Sequence, residues 1–279
     1  MLFFIAFPAS TAIDSQTLDG LIMFYKMRIP AERTFESFVL KFGGELVSRL
    51  ISNVNPSTNA DYLFRLPDIV AELKCVERDA FTTDDRDKLN ALALDWMRRG
   101  LIPPIFGRGR IHLRNLPPEC QLEWVDLHKG PWKRKLDKAN KQIKNTKALL
   151  KVPNACGILF LLDDATHSFL PKEAINFIAG VLRSKKPDGT QIYSHLDWIV
   201  YLSVNPKTVT PDGVGLNFWI PAYRHNADEG ISAFLESFKH GWTRYLGDFL
   251  KMKSFEIPGE HSSIEGNWVP GLNRLRVED

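Results

Sequence analysis

Two runs of the sequence constrain the fold most. If each is a strand, successive side chains point to opposite faces, and both faces carry apolar residues. Residues 69–76 read Ile-Val-Ala-Glu-Leu-Lys-Cys-Val, and residues 155–162 read Ala-Cys-Gly-Ile-Leu-Phe-Leu-Leu. A strand with apolar residues on both faces is typical of the centre of a sheet that helices cover on both sides. The chain is therefore predicted to be an α/β protein with a central mixed β-sheet flanked by helices.

Helical and extended patterns alternate along the rest of the chain. Apolar side chains at helical spacing predict helices over 31–52, 84–99, 132–150, 172–182 and 229–252. Short apolar runs predict further strands over 61–66, 111–116, 197–203 and 215–221. Gly43-Gly44 weakens the first helix and marks a kink or a close approach of the backbone.

The composition is that of an ordinary globular protein. The 279 residues are 44% apolar and 25% charged, values at which wholesale disorder is not expected. The three cysteines are widely spaced and include no Cys-x-x-Cys pair, so neither a disulfide framework nor a structural zinc site is predicted. No run approaches 18 apolar residues, and the apolar start of the chain lacks a basic flank. A cytoplasmic protein without membrane association is therefore expected.

The stretch from Asp61 to Lys74 carries the residues that suggest chemistry. If its two apolar runs are adjacent strands, Asp61 and Glu72 converge, and Lys74 projects from the same face as Glu72. Two carboxylates and an ammonium are costly in a packed interior unless they are paired or bind a metal. We therefore predict a cation site beside an anionic substrate. The alternative is a surface hairpin with an exposed Glu72–Lys74 pair, worth under about 1 kcal/mol.

This pattern resembles the PD-(D/E)XK nuclease superfamily, which has the restriction-endonuclease-like fold. The matching residues are Asp61, Glu72 and Lys74, and Ala60 stands where that superfamily often has a proline. The resemblance implies that Asp61, Glu72 and the backbone carbonyl of Leu73 bind one or two Mg²⁺ (or Mn²⁺) ions. It also implies that Lys74 orients or activates the attacking water.

Members of this superfamily often carry one more glutamate on the helix before the aspartate, as a further metal ligand. Glu36 is the favoured candidate here, because it stands near the start of the predicted helix. Glu45 has a simpler explanation, since Arg49 lies four residues further on as an ordinary helix ion pair. The Pro67-Asp68 pair is placed in the turn between the two strands.

The resemblance covers about residues 31–164 and implies a single elaborated domain. This domain would consist of a core over about 31–164 with an insertion at about 79–131, followed by a C-terminal extension over about 165–279. The implied activity is that of a magnesium-dependent phosphodiesterase. A DNA endonuclease acting on double-stranded DNA is the favoured form of that activity.

A basic stretch precedes the second apolar strand. Nine lysines and arginines between positions 129 and 151 are opposed only by Asp137. Such a helix suits a phosphate backbone, although a solvated charged face is the alternative. Trp132 offers a ring for stacking, and Gln142 falls where some members of the superfamily carry a polar residue that reaches the active site. The predicted nucleic-acid contacts are Arg108, Arg110, Arg134, Lys138, Lys141 and Gln142.

Two other classes of protein stay open at this point. One is a nucleic-acid-binding module of the same fold that lacks catalysis. The other is an assembly protein that works through its C-terminal helix, where aromatic residues follow helical spacing at Phe234, Phe238, Trp242 and Tyr245. These aromatics fit either a core or an oligomer surface, so a homodimer or a larger assembly is left open.

Overall fold

A mixed β-sheet with helices on both faces organises the chain in the computed structural model. The structure describes residues 2–5, 29–51, 58–76, 83–104, 115–163, 171–204, 208–209, 215–224, 229–250, 254–257 and 269–270. The helices in these residues are α1 (Ala31–Lys41), α2 (Val47–Leu50), α3 (Thr83–Arg98), α4 (Pro118–Leu149), α5 (Pro171–Arg183) and α6 (Glu229–Leu250). The strands are β1 (Leu2–Ile5), β2 (Glu45–Leu46), β3 (Tyr62–Arg65), β4 (Asp68–Val76), β5 (Cys156–Asp163), β6 (Trp198–Ser203), β7 (Thr208–Val209), β8 (Gly215–Tyr223), β9 (Ser254–Ile257) and β10 (Val269–Pro270).

Six of these strands form a mixed sheet in the order β2-β3-β4-β5-β6-β8. The three central strands β4, β5 and β6 run parallel, and the outer pairs are antiparallel. The first half of β8 also pairs with β1 and β7, which continue the sheet to β9 and β10. The prediction of a mixed sheet at the centre of an α/β protein is confirmed.

Alternate residues of the central strands face two different helical layers. Val70 and Leu159 lie in one apolar cluster with residues of α4 and α5, while Ile69 and Ile158 lie in a second cluster with residues of α1 and α6. This division explains why β4 and β5 are apolar on both faces. Among the described helices, none combines the length and the apolarity needed to cross a membrane.

The aromatic stripe of α6 packs against α1. The ring centroid of Phe38 lies 4.8 Å from that of Phe238, 5.2 Å from that of Trp242 and 5.5 Å from that of Tyr245. Phe238 and Trp242 are buried, and Phe234 and Tyr245 are partly buried in the same cluster. The core interpretation of this stripe is confirmed, and an oligomer stays a prediction.

The single helix predicted over 31–52 is wrong between Lys41 and Val47, and only the short helix α2 (Val47–Leu50) follows the break. Gly43 has a φ of 98°, a conformation that favours glycine and ends the helix. A Cβ on Gly44 would lie 2.8 Å from a ring carbon of Phe64, so this position also requires a close approach of the backbone. The chain therefore turns here and enters β2, instead of continuing as a helix.

The basic helix is longer than its sequence pattern indicates. The pattern predicts a helix over 132–150, whereas α4 runs through Gly130-Pro131 and covers 32 residues. Proline inside a helix removes a backbone hydrogen bond, which is why the pattern predicts a break there. The predicted strand over 111–116 falls largely outside the described residues, and its last two residues are not extended. The other predicted helices and strands are confirmed to within two residues at either end.

The β3–β4 hairpin confirms the two strands predicted over 61–66 and 69–76. Arg65 pairs with Asp68, so the turn consists of the two residues between them. Asp68 therefore begins β4. The prediction that Asp68 lies in the turn is wrong. This tight connection sets the register of the whole hairpin.

A glycine in β5 provides a test of the packing at one end of the sheet. A Cβ on Gly157 would lie 1.9 Å from the backbone carbonyl oxygen of His195. The segment that contains His195 is held beside β5, because the backbone N–H of Asp197 donates a hydrogen bond to the Gly157 carbonyl oxygen. Gly157→Ala is expected to lower the free energy of unfolding by roughly 3 kcal/mol, because the backbone must move. Urea denaturation followed by circular dichroism measures the change.

The matched control is Gly180→Ala in α5, where a Cβ would meet no atom within 4 Å. Alanine is a better helix former, so this variant should be as stable as the wild type or more stable by up to about 1 kcal/mol. Equal losses of stability in the two variants would contradict the close approach at Gly157.

Candidate active site

The hairpin register places Asp61 opposite Glu72. Tyr62, the first residue of β3, pairs with Ala71, so the preceding residue stands across from the one that follows Ala71. Beyond this pair, β4 has no neighbour on that side among the described strands. The backbone N–H of Leu73 instead donates to Oδ2 of Asp61 at 2.9 Å. The predicted convergence of Asp61 and Glu72 is therefore present in the structure.

Glu72 is completely buried, with Lys74 beside it. Oε1 of Glu72 accepts a hydrogen bond from Nζ of Lys74, and the same Nζ donates to Oε1 of Gln142 on α4 at 2.9 Å. Oε2 of Glu72 receives no hydrogen bond from a donor group among the described residues. The Glu72 carboxyl group does share a side-chain hydrogen bond with the carboxyl group of Asp61, which requires a proton on one of the two. Because buried polar atoms are nearly always satisfied, a carboxylate oxygen that no donor group reaches is a ligand atom available to a hard cation.

Both carboxyl groups are disfavoured as anions in the folded protein. Burial and the neighbouring Asp61 raise the pKa of Glu72 to about 8, while Lys74 acts in the opposite direction. Burial also raises the pKa of Asp61, and the Leu73 N–H and Lys74 oppose that effect. Two acidic groups thus lie beside one ammonium in a poorly solvated place, where Glu72 keeps its proton near neutral pH. A divalent cation would displace that proton, because it compensates the charge of both carboxylates.

A cleft of about 150 Å³ opens beside Asp61. Its walls include Glu32 and Glu36 of α1, and Glu36 contributes to raising the pKa of Asp61. Glu45, the other candidate for a helix-borne ligand, lies in β2 and its carboxylate pairs with Nε of Arg65 at 2.5 Å. The predicted helix ion pair of Glu45 is therefore wrong, and the structure brings only Glu36 of the two candidates to the cleft. Its role as a metal ligand stays a prediction.

The backbone carbonyl of Leu73 lies on the same side of β4 as Asp61. The N–H and C=O of one strand residue point in the same direction, and the Leu73 N–H is directed at Asp61. Within the described part of the chain, no three carboxylate, imidazole or thiol groups are arranged to hold a metal ion. The Asp61–Glu72 pair would therefore need the Leu73 carbonyl, water and substrate oxygens to complete a shell, which is how Mg²⁺ is often bound.

The residues predicted to contact nucleic acid occupy different environments. Arg134, Lys138 and Lys141 are exposed on α4. Arg108 and Arg110 lie outside the described residues. Their contacts with nucleic acid stay predictions.

Gln142 differs from the exposed residues, because it is only 4% exposed. Its Nε2 donates to the carbonyl oxygen of Asn59 at 2.8 Å, while its Oε1 accepts from Lys74. This burial argues against direct contact with nucleic acid and makes Gln142 a bridge inside the site. Trp132 is likewise buried, with its ring 5.7 Å from that of Phe177, and it offers no stacking surface.

The sequence pattern alone does not single out Thr146, one turn after Gln142. Thr146 is completely buried, and its Oγ1 accepts a hydrogen bond from the backbone N–H of Ala60 at 2.8 Å. The available signal is a pair of uncharged polar residues, four positions apart, beside the apolar stripe of the helix. Their target cannot be read from the sequence, because it depends on how α4 docks on the sheet.

Comparison of the chain with protein-family models, with curated proteins and with solved structures found no match in any of the three. The interpretation of the site therefore depends on its own residues. The relevant groups are the buried carboxyl pair of Asp61 and Glu72, the ammonium of Lys74 and the amide of Gln142.

The buried Glu72 carboxyl group predicts an unusual dependence of stability on pH. Its pKa rises from an ordinary 4.5 to about 8 on folding, so the folded protein keeps a proton that the unfolded chain has already released. Between these two values, the free energy of unfolding should fall as pH rises, by up to about 1.4 kcal/mol per pH unit. Asp61 acts in the same direction. Urea titrations in EDTA at several pH values measure this slope.

Glu72→Gln removes the titrating group and should flatten most of this decline. Glu119→Gln is the matched control, because it removes a carboxylate from the exposed first turn of α4. If wild-type and Glu72→Gln proteins lose stability equally as pH rises, then the buried carboxyl group is not the cause.

Proposed function

We propose that the protein is a divalent-cation-dependent nuclease that hydrolyses phosphodiester bonds, with double-stranded DNA as the substrate. The observation that carries this proposal is the buried pair of Asp61 and Glu72, whose carboxyl groups lie against each other beside the ammonium of Lys74. Within the described part of the chain, no donor group reaches Oε2 of Glu72. A cation bound by these oxygens and an anionic phosphate beside Lys74 would together satisfy all of these charges.

Each side chain has a role that follows from its position. Asp61 and Glu72 would hold Mg²⁺ or Mn²⁺, with the Leu73 carbonyl as a further ligand. The bound ion would act as a Lewis acid on the phosphate and would lower the pKa of a water molecule. Lys74 would orient the attacking water and stabilise negative charge at the phosphate. Gln142 holds the Lys74 ammonium in place through a 2.9 Å hydrogen bond.

The topology around the site supports a restriction-endonuclease-like core. Helix α1, the three antiparallel strands β2, β3 and β4, helix α4 and the parallel strand β5 follow one another within residues 31–163. This range agrees with that of the PD-(D/E)XK resemblance. One fold serves many functions, so the site and not the topology indicates hydrolysis.

The exposed basic residues of α4 support nucleic acid as the substrate. Helical rise places Lys138 about 6 Å and Arg134 about 12 Å along the axis from Gln142, which touches Lys74. A phosphate backbone that follows α4 would therefore meet these cations on its way to the carboxylate pair. The same surface would serve a non-catalytic nucleic-acid-binding protein, so hydrolysis needs its own test. A cytoplasmic location and a homodimer or larger assembly stay predictions.

The activity test compares site variants on four substrates. Supercoiled plasmid, linear duplex, single-stranded DNA and RNA are incubated with the protein and Mg²⁺ or Mn²⁺. Wild-type protein should cleave duplex DNA, and EDTA should abolish cleavage. Lys74→Ala should lower the cleavage rate at least about a hundredfold, because it removes a group in direct contact with the reacting atoms. Asp61→Asn should also lower the affinity for Mn²⁺, measured by calorimetry.

Two exposed positions provide the matched controls for these variants. Lys186→Ala and Asp248→Asn make the same chemical changes on the surface, in a turn and on α6. Both should cleave DNA and bind Mn²⁺ like the wild type. Cleavage by Lys74→Ala at the wild-type rate would remove the proposed mechanism, whereas DNA binding without cleavage in any metal would favour the non-catalytic alternative.

The basic face of α4 is tested by the salt dependence of DNA binding. Alanine at Arg134, Lys138 and Lys141 together should weaken binding to duplex DNA of any sequence. The slope of log affinity against log salt should fall by about one unit for each phosphate contact that is lost. Fluorescence anisotropy in EDTA measures binding without cleavage.

The control for charge alone is a second triple-alanine variant near the end of α5. It replaces three basic residues that are exposed in the structure, Arg183, Lys185 and Lys186. Its salt slope should equal that of the wild type. An equal reduction in both triple variants would mean that net charge, and not the α4 face, governs binding.

A further inference from the structure

One face of α4 holds the chain segment that leads into Asp61. Three consecutive residues of that segment are each bound by a different side chain of the helix. The distances are 3.1 Å from Asn145 Nδ2 to the Thr58 carbonyl oxygen, 2.8 Å from Gln142 Nε2 to the Asn59 carbonyl oxygen, and 2.8 Å from the Ala60 backbone N to Thr146 Oγ1. We refer to Gln142, Asn145 and Thr146 as the clamp residues.

The clamp residues fix the backbone of residues 58–60 by hydrogen bonds, as pairing between strands fixes the backbone in the sheet. Residues 58–60 lie before β3 and belong to no strand, so ladder hydrogen bonds between strands do not fix them. The carbonyl oxygen of Asp61 is held from another side, where it accepts a bond from the Val47 N–H at 2.9 Å. The position of the Asp61 carboxylate relative to Glu72 therefore depends on how firmly the segment is held on both sides.

Thr146 is the most deeply buried of the clamp residues. It is completely buried, and the Ala60 residue it binds is only 4% exposed. A buried N–H that loses its acceptor carries a large desolvation penalty, so the segment would shift until the Ala60 N–H found another partner. Because Ala60 is bonded directly to Asp61, such a shift would move the carboxylate.

We propose that Thr146 is a positioning residue, which acts through Ala60 to hold the Asp61 carboxylate at the distance from Glu72 that cation binding requires. This inference rests on the proposed nuclease function. Thr146 has no exposed surface, so it does not contact nucleic acid. Groups that orient metal ligands from behind commonly affect metal affinity or activity about ten- to a hundredfold.

The experiment uses the full chain and two substitutions at the same position. Thr146→Val keeps the shape of the side chain but removes the acceptor, and Thr146→Ser keeps the hydroxyl. Thr146→Val should lower both the Mn²⁺ affinity and the kcat for duplex DNA about ten- to a hundredfold, with KM within about twofold of the wild type. Thr146→Ser should restore both quantities to nearly wild-type values.

A buried threonine elsewhere separates positioning from general stability. Thr243 in α6 is 8% exposed, and its hydroxyl donates to the Lys239 carbonyl oxygen at 3.0 Å. Thr243→Val should lose stability without changing Mn²⁺ affinity or kcat, when all proteins are measured at a temperature at which each is folded. A parallel fall in Thr243→Val would overturn the inference.

Asn145→Ala keeps the test decisive even if Thr146→Val does not fold. Asn145 is partly exposed, so its loss leaves the Thr58 carbonyl oxygen near water, and Mn²⁺ affinity should fall about two- to tenfold. Wild-type Mn²⁺ affinity in Thr146→Val, or in Asn145→Ala if Thr146→Val does not fold, would overturn the positioning role. Failure of the wild type itself to bind Mn²⁺ would instead overturn the proposed function.

Discussion

The register of the β3–β4 hairpin is the constraint on which the rest of the site depends. The two-residue turn pairs Arg65 with Asp68, and every later pair follows from that connection, including the placement of Asp61 across from Glu72. A slip of one residue would send Glu72 to the face that packs on α1 and α6. That face is occupied by phenylalanine and tryptophan rings, so the apolar pattern of the sheet also protects the position of the charges.

The carboxyl pair of Asp61 and Glu72 lowers the stability of the folded protein locally. A second carboxylate beside Asp61 destabilises the metal-free protein at neutral pH, because burial raises the pKa of both acids. The surroundings offset part of this cost through the Leu73 N–H, the Lys74 ammonium and the Gln142 amide. Local violations of the rules of stability are expected at functional sites, where the rest of the fold compensates for them.

The sequence predicts those parts of the structure that depend on local pattern. The period of two in β4 and β5, the two-strand hairpin and the convergence of Asp61, Glu72 and Lys74 all follow from alternation along short runs. Contacts made by tertiary docking do not follow from it. Gln142 contacts Lys74 although the two residues are 68 positions apart. Glu45 of β2 pairs with Arg65 of the neighbouring strand β3, because α1 ends before it at the Gly43 turn.

Helix α4 carries exposed cations and a buried amide on one continuous element. It is a single rod of 32 residues, about 48 Å long, with lysines and arginine on its outer side and the amide that steadies Lys74 on its inner side. Arg134, Lys138 and Gln142 all lie after Pro131, so regular helical geometry fixes their spacing along the axis. If the exposed cations bind a nucleic-acid backbone as proposed, the amide of Gln142 lies at a fixed distance from the bound phosphates. This distance would then determine which phosphodiester bond of the strand lies at the carboxyl pair.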